Sequence, residues 1–370
     1  MILGIDARLA NATQPAGAGH YCREVLRALA TLVHGMELRL YLDQEPGDTF
    51  PDGDWECRIL PRRPFWTHRT LSQELRRDPP DVFLSPVTQV PWCCPCPALV
   101  SVLDLAVRSH PAYFPWRKRL AMRLQSEHAI RRGDHFIVIS ESTAQDLNRY
   151  YPMASDRITV AHLGVNEAFF DIGKTGVNRD ALPPGVPDHY VLYVGQVQPR
   201  KNLLRLVDAF SQVCEGHPEI SHHLVLAGAD GWQHEAIHQA IIASPVANRI
   251  HRLGYVPDAN MPALIANADV LALVSLSEGF GLPAVEAMAA STAVLASNCS
   301  SLPEIVGNAG LLVDPCDTNA IADGLLRLFT DEKLRQNYEC DGRTWAQQFR
   351  WKKTAAAIVA AAKKLAHVKS

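Results

Sequence analysis

A chain of 370 residues exceeds the size at which one hydrophobic core usually stops growing, so the sequence predicts two domains. Apolar residues make up 47% of the chain and charged residues 20%, as in ordinary globular proteins, and no apolar run approaches the roughly 18 residues of a membrane span. The net charge of −3, with no polybasic tail, gives no electrostatic reason to expect a nucleic-acid partner.

The first residues and the cysteines favour a reducing compartment. Met1–Asp6 carries an acid where a signal peptide has basic and then long apolar regions, so we expect no export and a cytoplasmic location. The nine cysteines are an odd number and lie scattered, apart from Cys93, Cys94 and Cys96. This Pro-rich cluster lacks paired C-x-x-C halves, so a structural loop is favoured over a zinc site.

Short apolar runs alternate with amphipathic stretches along the first half of the chain, a pattern typical of parallel sheets covered by helices. The predicted strands are Ile2–Asp6, Glu37–Leu42, Val82–Pro86, Ala98–Asp104, Phe136–Ser140 and Arg157–Ala161. The predicted helices are Tyr21–Val33, Trp116–Arg131 and Ser142–Tyr151. The segment Gly173–Asp188 has no periodicity and many breakers, so it is predicted to be a linker.

The same alternation restarts after the linker. The predicted strands are Tyr190–Gly195, Leu224–Gly228, Ile250–Gly254, Val270–Ser275 and Ala293–Ala296, and the predicted helices are Leu203–Glu215, Glu235–Ala243, Leu282–Ala290, Ala320–Thr330 and the Ala-rich Trp351–Val368. Two doubly wound α/β domains in series predict a cleft with the ligand outside the carboxyl ends of the strands.

The segment Val194–Asn202 follows a predicted strand and precedes a predicted helix. Gly195 lets the backbone approach a ligand, and Arg200 and Lys201 lie just before a helix N-terminus, where anions bind. The arginine fork and the lysine point charge can neutralise a diphosphate from two directions. A solvated basic loop would give the same spacing, and the residues alone leave that alternative open.

A second segment, Ser277–Ala289, also follows an apolar strand. Glycines flank Phe280, and Pro283 favours the start of a helix. Glu278 on the loop and Glu286 one turn into the helix could accept hydrogen bonds from the hydroxyl groups of one ligand. Glu286 could instead be only a favourable acid near a helix N-terminus.

Together these segments resemble the signature of retaining family-4 glycosyltransferases of the GT-B fold, in which two glutamates separated by seven residues mark the donor site. Three further segments extend the resemblance over nearly the whole chain: the early loop Ala16–Tyr21, Val138–Ser142 and His162–Asn166. The resemblance implies a GT-B fold of two Rossmann-like domains facing a cleft, with an acceptor-side domain at 1–172, a linker at 173–188, a donor-binding domain at 189–350 and a C-terminal helix at 351–370 that returns to the first domain.

The resemblance also implies roles for residues. Arg200 and Lys201 would bind the donor diphosphate, Glu286 the ribose and Glu278 the sugar hydroxyls. Further donor contacts would come from Gly17 and Gly19 in the first domain and from Gly195, Phe280, Gly281 and Leu282 in the second. Asp104 would orient donor or acceptor.

The implied reaction transfers a hexose, with mannose from GDP-mannose as the best candidate, from a nucleotide sugar to a glycan or lipid-linked acceptor. The anomeric configuration is retained, the leaving diphosphate acts as base, and no metal or other cofactor takes part. Asp52-Gly53-Asp54 spells an acidic metal motif, but its Pro/Gly/Asp-rich surroundings favour a turn without a neighbouring strand.

One position departs from the family pattern. Many relatives have a His-Asp pair where this chain has Leu103 and Asp104, and leucine cannot hydrogen-bond a sugar hydroxyl. His110 could substitute, or the site could tolerate an apolar wall. The departure keeps one alternative open, a catalytically inert sugar-nucleotide-binding module. A second alternative, independent of Leu103, is another GT-B enzyme such as an epimerase or phosphorylase.

Basic and aromatic residues interleave at 114–132, which suits an anionic membrane surface or a lipid-linked acceptor. A similar stretch, Arg62–Trp66, lies in the same predicted domain. An amphipathic helix that buries its apolar side would have the same composition, and the sequence does not separate the two.

Overall fold

The computed structural model describes residues 1–13, 17–32, 35–153, 155–175 and 179–368. They form two compact units, the first comprising 1–111, 116–164 and 350–370 and the second 112–115 and 165–349. The predicted linker at 173–188 falls within the second unit, and its residues 176–178, like Ala16, lie outside the described residues.

The first unit contains a parallel sheet of seven strands. The strands are β1 (Ile2–Asp6), β2 (Glu37–Leu42), β3 (Glu56–Ile59), β4 (Val82–Ser85), β5 (Ala98–Val102), β6 (His135–Val138) and β7 (Ile158–Val160). Their order across the sheet is β3-β2-β1-β4-β5-β6-β7. The central strands are apolar and buried, as expected of strands covered by helices on both faces.

The helices of this unit are α1 (Gly17–Leu32), α2 (Ser72–Arg77), α3 (Ala106–Ser109), α4 (Trp116–Arg132), α5 (Glu141–Tyr150) and, from the end of the chain, α14 (Trp351–Val368). Short 3-10 turns lie at Arg8–Asn11, Pro111–Tyr113 and Ser155–Arg157, and a π-helical turn at Thr67–Leu71 leads into α2. α14 packs on α1, where the Trp351 ring lies 6.2 Å from that of His20.

The second unit contains a parallel sheet of six strands. They are β8 (Tyr190–Val194), β9 (His223–Ala227), β10 (Ile250–Gly254), β11 (Val270–Leu273), β12 (Ala293–Ser297) and β13 (Leu311–Val313), in the order β10-β9-β8-β11-β12-β13. The helices are α6 (Glu167–Thr175), α7 (Leu203–Gly216), α8 (Glu235–Ala243), α9 (Met261–Ala266), α10 (Leu282–Ala289), α11 (Leu302–Val306), α12 (Thr318–Thr330) and α13 (Glu332–Ala346). Three 3-10 turns lie at Arg179–Ala181, Pro199–Lys201 and Ala247–Arg249.

Both sheets have the doubly wound order, in which the direction of winding reverses once. The reversal lies between β1 and β4 in the first unit and between β8 and β11 in the second. Ligands of such sheets bind where the order reverses, outside the carboxyl ends of the strands. In the second unit this point joins the two segments, Val194–Asn202 and Ser277–Ala289, that the sequence singles out.

The predicted α/β class and the two Rossmann-like domains are confirmed, and the predicted strands recur within a few residues. The sequence analysis missed β3 and β13 and most of the short helices, including α9 and α11. β3 is an edge strand whose residues are mostly exposed, so it lacks the apolar run that identifies the central strands. α1 begins at Gly17 rather than Tyr21, so Gly17–Tyr21 is helical and not a loop. Among the described residues, no helix combines the length and apolarity needed to cross a membrane.

Candidate donor site

The carboxyl ends of β8 and β11 bring the two predicted motifs together. Pro199–Lys201 forms a 3-10 turn after β8, and the Leu276 amide donates to the Arg200 carbonyl at 3.0 Å. The backbone of the cation segment is thereby tied directly to the loop that carries Glu278. Lys201 and Glu278, 77 residues apart along the chain, thus lie side by side.

Glu278 is the centre of a buried charge cluster. Lys201 Nζ lies 2.5 Å from Glu278 Oε1, and Arg200 Nη1 lies 3.2 Å from Oε2. The three side chains are only 8–12% exposed, and Arg200 also donates to the Ser277 carbonyl. The cluster holds two cations and one carboxylate, which leaves a net charge of about +1 where an anion can be stabilised with little screening by solvent.

The ionisation state of Glu278 follows from these neighbours. Burial by itself opposes the charged form, but Lys201 and Arg200 outweigh it and lower the pKa of Glu278 to about 2. Ser275 assists by donating to Oε1 at 2.7 Å. Glu278 is therefore a carboxylate at any physiological pH and holds both cations in place.

Asn202 fixes the geometry of the cation segment. It adopts the left-handed conformation (φ 62°) at the start of α7, where asparagine is tolerated better than most residues. Its side-chain amide donates to the carbonyls of Val274 (2.9 Å) and Pro315 (2.7 Å), and its oxygen accepts from Arg205. Asn202 therefore connects the turn after β8 with the end of β11, a role that the sequence analysis did not assign.

Two glycines allow the strand ends to approach each other. Gly195 has φ 146°, and a Cβ there would lie 2.8 Å from the Tyr193 hydroxyl. Gly228, after β9, also has φ 146°, and its Cβ would lie 2.0 Å from the Gly195 carbonyl oxygen. Gly195 was predicted as a donor contact, whereas the sequence analysis missed Gly228 because its requirement arises only from the neighbouring strand.

The loop after β11 is held by serines that the sequence analysis did not select. Ser300 accepts from the Glu278 amide at 2.9 Å, and Ser301 donates to the Phe280 carbonyl at 2.9 Å. Both serines follow β12, so their proximity to the loop depends on the sheet order. Phe280 is 3% exposed and packs edge-on against Phe349, with ring centroids 5.7 Å apart.

α10 begins where this loop ends. Gly281 precedes it in the left-handed conformation (φ 103°), and Leu282 and Pro283 form its first turn. Any other residue would be strained at this positive φ, and its Cβ would also lie 2.5 Å from Leu302 Cδ2, so glycine is strongly favoured. Glu286 lies one turn into α10 and is 8% exposed, which places it among buried residues rather than on a solvated helix face.

The remaining predicted site residues lie in the first unit. Gly17 and Gly19 belong to the first turn of α1, and no described atom lies within 4 Å of a Cβ built on Gly17. Asp104 is exposed, and its Oδ1 accepts from the Ala106 amide at 3.1 Å, at the start of α3. Leu103 follows β5 and is partly buried. That these residues act on the same ligand as Glu278 stays a prediction.

A cavity of about 320 Å³ lies at the winding reversal of the first sheet, and Asp6, Arg8, Asp43 and Gln89 are among its lining residues. Arg8 forms a two-point ion pair with Asp6, at 2.9 and 2.8 Å, and its guanidinium covers the Trp66 ring at 4.1 Å. The sequence analysis missed this polar group. An acid and an arginine at the carboxyl end of the first strand were the available signal.

The segment Asp52–Asp54 lies closer to a strand than expected. Asp52 and Asp54 are exposed, but β3 begins at Glu56, so the expectation that no strand lies nearby was wrong.

All nine cysteines are free thiols, and Cys94 Sγ lies 3.7 Å from Cys96 Sγ in a buried loop. Potential metal-ligand groups among the described residues lie elsewhere, at His189, His222 and Asp269 and at Asp230, His234 and His238.

Two family profiles match nearly the whole chain. "Glycosyltransferase Family 4" matches residues 15–169 and "Glycosyl transferases group 1" matches residues 177–345. O-antigen chain mannosyltransferase B of Escherichia coli is 30% identical over 259 residues, which cover 69% of this chain and 67% of that protein. Serotype-specific mannosyltransferase WbdA of Escherichia coli is 28% identical over 278 residues, 73% of this chain but only 33% of WbdA.

Solved structures share the fold over the full length. Sucrose-phosphate synthase from Thermosynechococcus elongatus has a TM-score of 0.78 at 22% identity and covers 100% of both chains. Anabaena HepE, solved with UDP and glucose, has a TM-score of 0.73 at 19% identity and covers 97% of this chain and 98% of that one. The two family profiles match one after the other along the chain, and each unit contains a doubly wound parallel sheet. The chain therefore belongs to the group 1, family 4 glycosyltransferases and has their GT-B fold.

Proposed function

We propose that this glycosyltransferase transfers mannose from GDP-mannose to a glycan or lipid-linked acceptor, retains the anomeric configuration and needs no metal ion. The observation that carries the proposal is the buried cluster of Arg200, Lys201 and Glu278 at the winding reversal of the second sheet. Mannose is favoured because two of the similar proteins are named mannosyltransferases. HepE, a structural neighbour, was solved with UDP-glucose, so a nucleotide sugar is the donor class we infer.

In this proposal Arg200 and Lys201 stabilise the charge that develops on the leaving diphosphate. Their ammonium and guanidinium groups are held by Glu278 before any ligand arrives, so little reorganisation is needed during the reaction. The start of α10 faces the same loop and adds the partial positive charge of a helix N-terminus. These groups would do the electrostatic work that a divalent cation does in other transferases.

Glu278 has a second role in the proposal. Its Oε1 accepts from Lys201 and Ser275, whereas Oε2 accepts from Arg200. Each carboxylate oxygen has two lone pairs, so Oε2 can accept a further bond from a sugar hydroxyl. Glu286 would bind the ribose. The departing phosphate oxygen would take the proton of the acceptor hydroxyl as the new bond forms on the same face, so no protein nucleophile is required.

The acceptor would be held by the first unit. The cavity beside Asp6 and Arg8 offers a carboxylate and a guanidinium at the carboxyl edge of the sheet, groups suited to hydroxyls and to phosphate. α4 would bring the protein to an anionic surface, because Trp116, Leu120 and Leu124 are 63%, 51% and 58% exposed and recur every fourth residue among basic side chains.

The decisive experiment measures donor turnover with and without the cation pair. Arg200→Ala and Lys201→Ala should each lower turnover at least about a hundredfold, because the leaving group loses a preorganised partner. Arg327→Ala and Lys333→Ala, on exposed positions of α12 and α13, serve as matched controls and should leave turnover unchanged.

The same assay tests the finer parts of the proposal. We expect GDP-mannose to be preferred over UDP-glucose, activity to persist in excess chelator, and the product anomer, read by NMR, to match the donor. A folded Arg200→Ala/Lys201→Ala double variant with normal turnover would remove this cluster from the mechanism. A wild-type chain that binds donors but never turns them over would instead favour the inert binding module.

A further inference from the structure

Three potential metal ligands converge at the amino ends of three neighbouring strands. His189 immediately precedes β8, His222 precedes β9 and Asp269 precedes β11. These strands lie side by side in the order β9-β8-β11, so the parallel arrangement brings residues just before each strand to one place. This edge is opposite the carboxyl ends that carry Arg200 and Glu278, so the group is separate from the proposed donor site.

Two of the distances between the ligand atoms match those of a tetrahedral metal site. His189 Nδ1 lies 3.4 Å and His222 Nε2 lies 3.5 Å from Asp269 Oδ2, and all three atoms lie within 4.8 Å of one another. Zinc bonds to nitrogen and oxygen of about 2.0–2.2 Å, in tetrahedral geometry, separate neighbouring ligand atoms by about 3.3–3.6 Å. The observed separations are longer than those of good hydrogen bonds between the same groups.

The Asp269 and His222 side chains are held in place by their surroundings, and the backbone of His189 is tied to the start of β9. Asp269 Oδ2 accepts from the Tyr190 amide at 3.1 Å, and the Asp269 amide donates to the Tyr190 carbonyl at 3.0 Å. The His189 carbonyl accepts from the His223 amide at 2.9 Å, and the His222 ring stacks on Phe329 with centroids 4.0 Å apart. Fixed carboxylate and imidazole orientations are what a metal site needs before the ion arrives.

His222 is the most informative member of the group. Both of its ring nitrogens are buried and have no hydrogen-bond partner among the described residues, although buried polar atoms are normally paired. An imidazole nitrogen without another partner is available to bind a metal ion.

A second group, Asp230, His234 and His238, offers the same residue types on the surface near α8. There Arg252 Nη2 occupies both carboxylate oxygens of Asp230, at 3.1 and 3.2 Å. A cation already in that position repels a metal ion, so the first group is favoured and the second provides a control.

We propose that His189, His222 and Asp269 bind one divalent transition-metal ion, zinc by the chemistry of the ligands, with water in the fourth position. The ion joins the starts of β8, β9 and β11 and acts on the stability of the second unit rather than on the transfer reaction. The proposed metal ion is compatible with a metal-free donor site, because the metal ligands lie at the amino ends of the strands and the donor site at their carboxyl ends.

The test uses the full chain, stripped of metal with a chelator and titrated with Co²⁺ and Zn²⁺. We expect one Co²⁺ per chain with the intense visible absorption of a tetrahedral site, displaced by Zn²⁺. His222→Gln and Asp269→Asn should weaken binding at least tenfold, whereas His238→Gln, in the second group, should change it less than twofold. His189→Gln is the further variant if the buried substitutions impair folding, because the His189 side chain is 61% exposed.

Loss of Co²⁺ binding in His238→Gln but not in His222→Gln or His189→Gln would overturn the assignment. So would the absence of tight stoichiometric binding to the wild-type chain. Donor turnover is measured in parallel, and normal turnover by a metal-free enzyme at low temperature is the expected result. Failure of the metal proposal would leave the proposed transferase function untouched, because no donor contact depends on these residues.

Discussion

Glu278 shows how one buried carboxylate can organise two cations. With its pKa lowered to about 2 by Lys201 and Arg200, it stabilises the folded protein above its ordinary pKa of 4.5, and this contribution is lost as the pH falls from about 4.5 towards 2. A shift of this size corresponds to about 3 kcal/mol of stability at neutral pH.

Replacement of Glu278 by glutamine tests this linkage. At pH 7 the variant should be less stable than the wild type, because two buried cations lose their counter-charge. The stability difference should shrink as the pH falls from 5 to 2.5, since Glu278 of the unfolded chain takes up a proton near pH 4.5 while folded Glu278 stays ionised down to about pH 2, and glutamine does not titrate. Urea unfolding of both proteins across this range gives the measurement. A difference that stays constant with pH would mean that the ion pairs contribute little.

At the scale of elements, the packing of the loop after β7 explains why residue 164, in the segment His162–Asn166, is a glycine. A Cβ on Gly164 would lie 1.9 Å from the Trp351 amide nitrogen, at the start of α14. The same contact region includes the hydrogen bond from the Thr354 hydroxyl to the His162 carbonyl. The glycine is therefore required by the approach of two backbone segments almost 190 residues apart in sequence.

We expect Gly164→Ala to destabilise the first unit by about 1–3 kcal/mol, because backbone must move to accommodate the methyl group. The control is Gly216→Ala at the end of α7, where the added Cβ would meet no described atom within 4 Å beyond its chain neighbours and its own helix backbone, and its effect should be neutral or slightly stabilising. Thermal unfolding of the two variants provides the comparison. Equal stability of both variants would show that the loop moves aside at no cost.

α4 is the element whose surface is least like that of an ordinary amphipathic helix, because its first half exposes apolar and basic residues together. Replacement of Arg117, Lys118 and Arg119 by glutamine should weaken salt-sensitive binding to anionic vesicles, at about 1 kcal/mol per residue near the surface. A control with Lys352, Lys353 and Lys363 of α14 replaced by glutamine removes the same charge elsewhere. If the wild type does not sediment with vesicles at low salt, α4 has no membrane role.

At the scale of the whole molecule, the last segment of the chain packs with the first unit. Residues 350–370 belong to that unit, and Trp351, Ala355, Ile358 and Ala362 of α14 are buried. A chain that stops at Arg350 should therefore lose the first unit's stability selectively, since the apolar surface of α1 becomes exposed.

Limited proteolysis of the shortened chain should cut within 1–164 first and leave a resistant fragment near 165–349. Nucleotide binding by that fragment, measured by fluorescence, should be weaker than binding by the full chain but detectable. Uniform digestion of both units would show that the second unit does not fold without α14 in place.

The sequence by itself determined the elements that carry a strong local pattern. Central strands such as Tyr190–Val194 and Val270–Leu273 are continuous apolar runs, and the α/β alternation with the Arg200–Lys201 and Glu278–Glu286 motifs was enough to predict the class, the fold and the family. Edge strands such as β3 and β13 and short helices lacked that pattern and were missed.

Only the tertiary structure decided which distant residues meet. The ion pairs of Glu278 with both cations, the hold of Asn202 on Val274 and Pro315, and the convergence of His189, His222 and Asp269 all depend on strand order, which no local pattern encodes. The need for glycine at 164 and 228 has the same origin, because it arises from backbone contacts with remote segments. Local sequence fixes the period and burial of each element, whereas long-range packing selects the neighbours that give each side chain its chemistry.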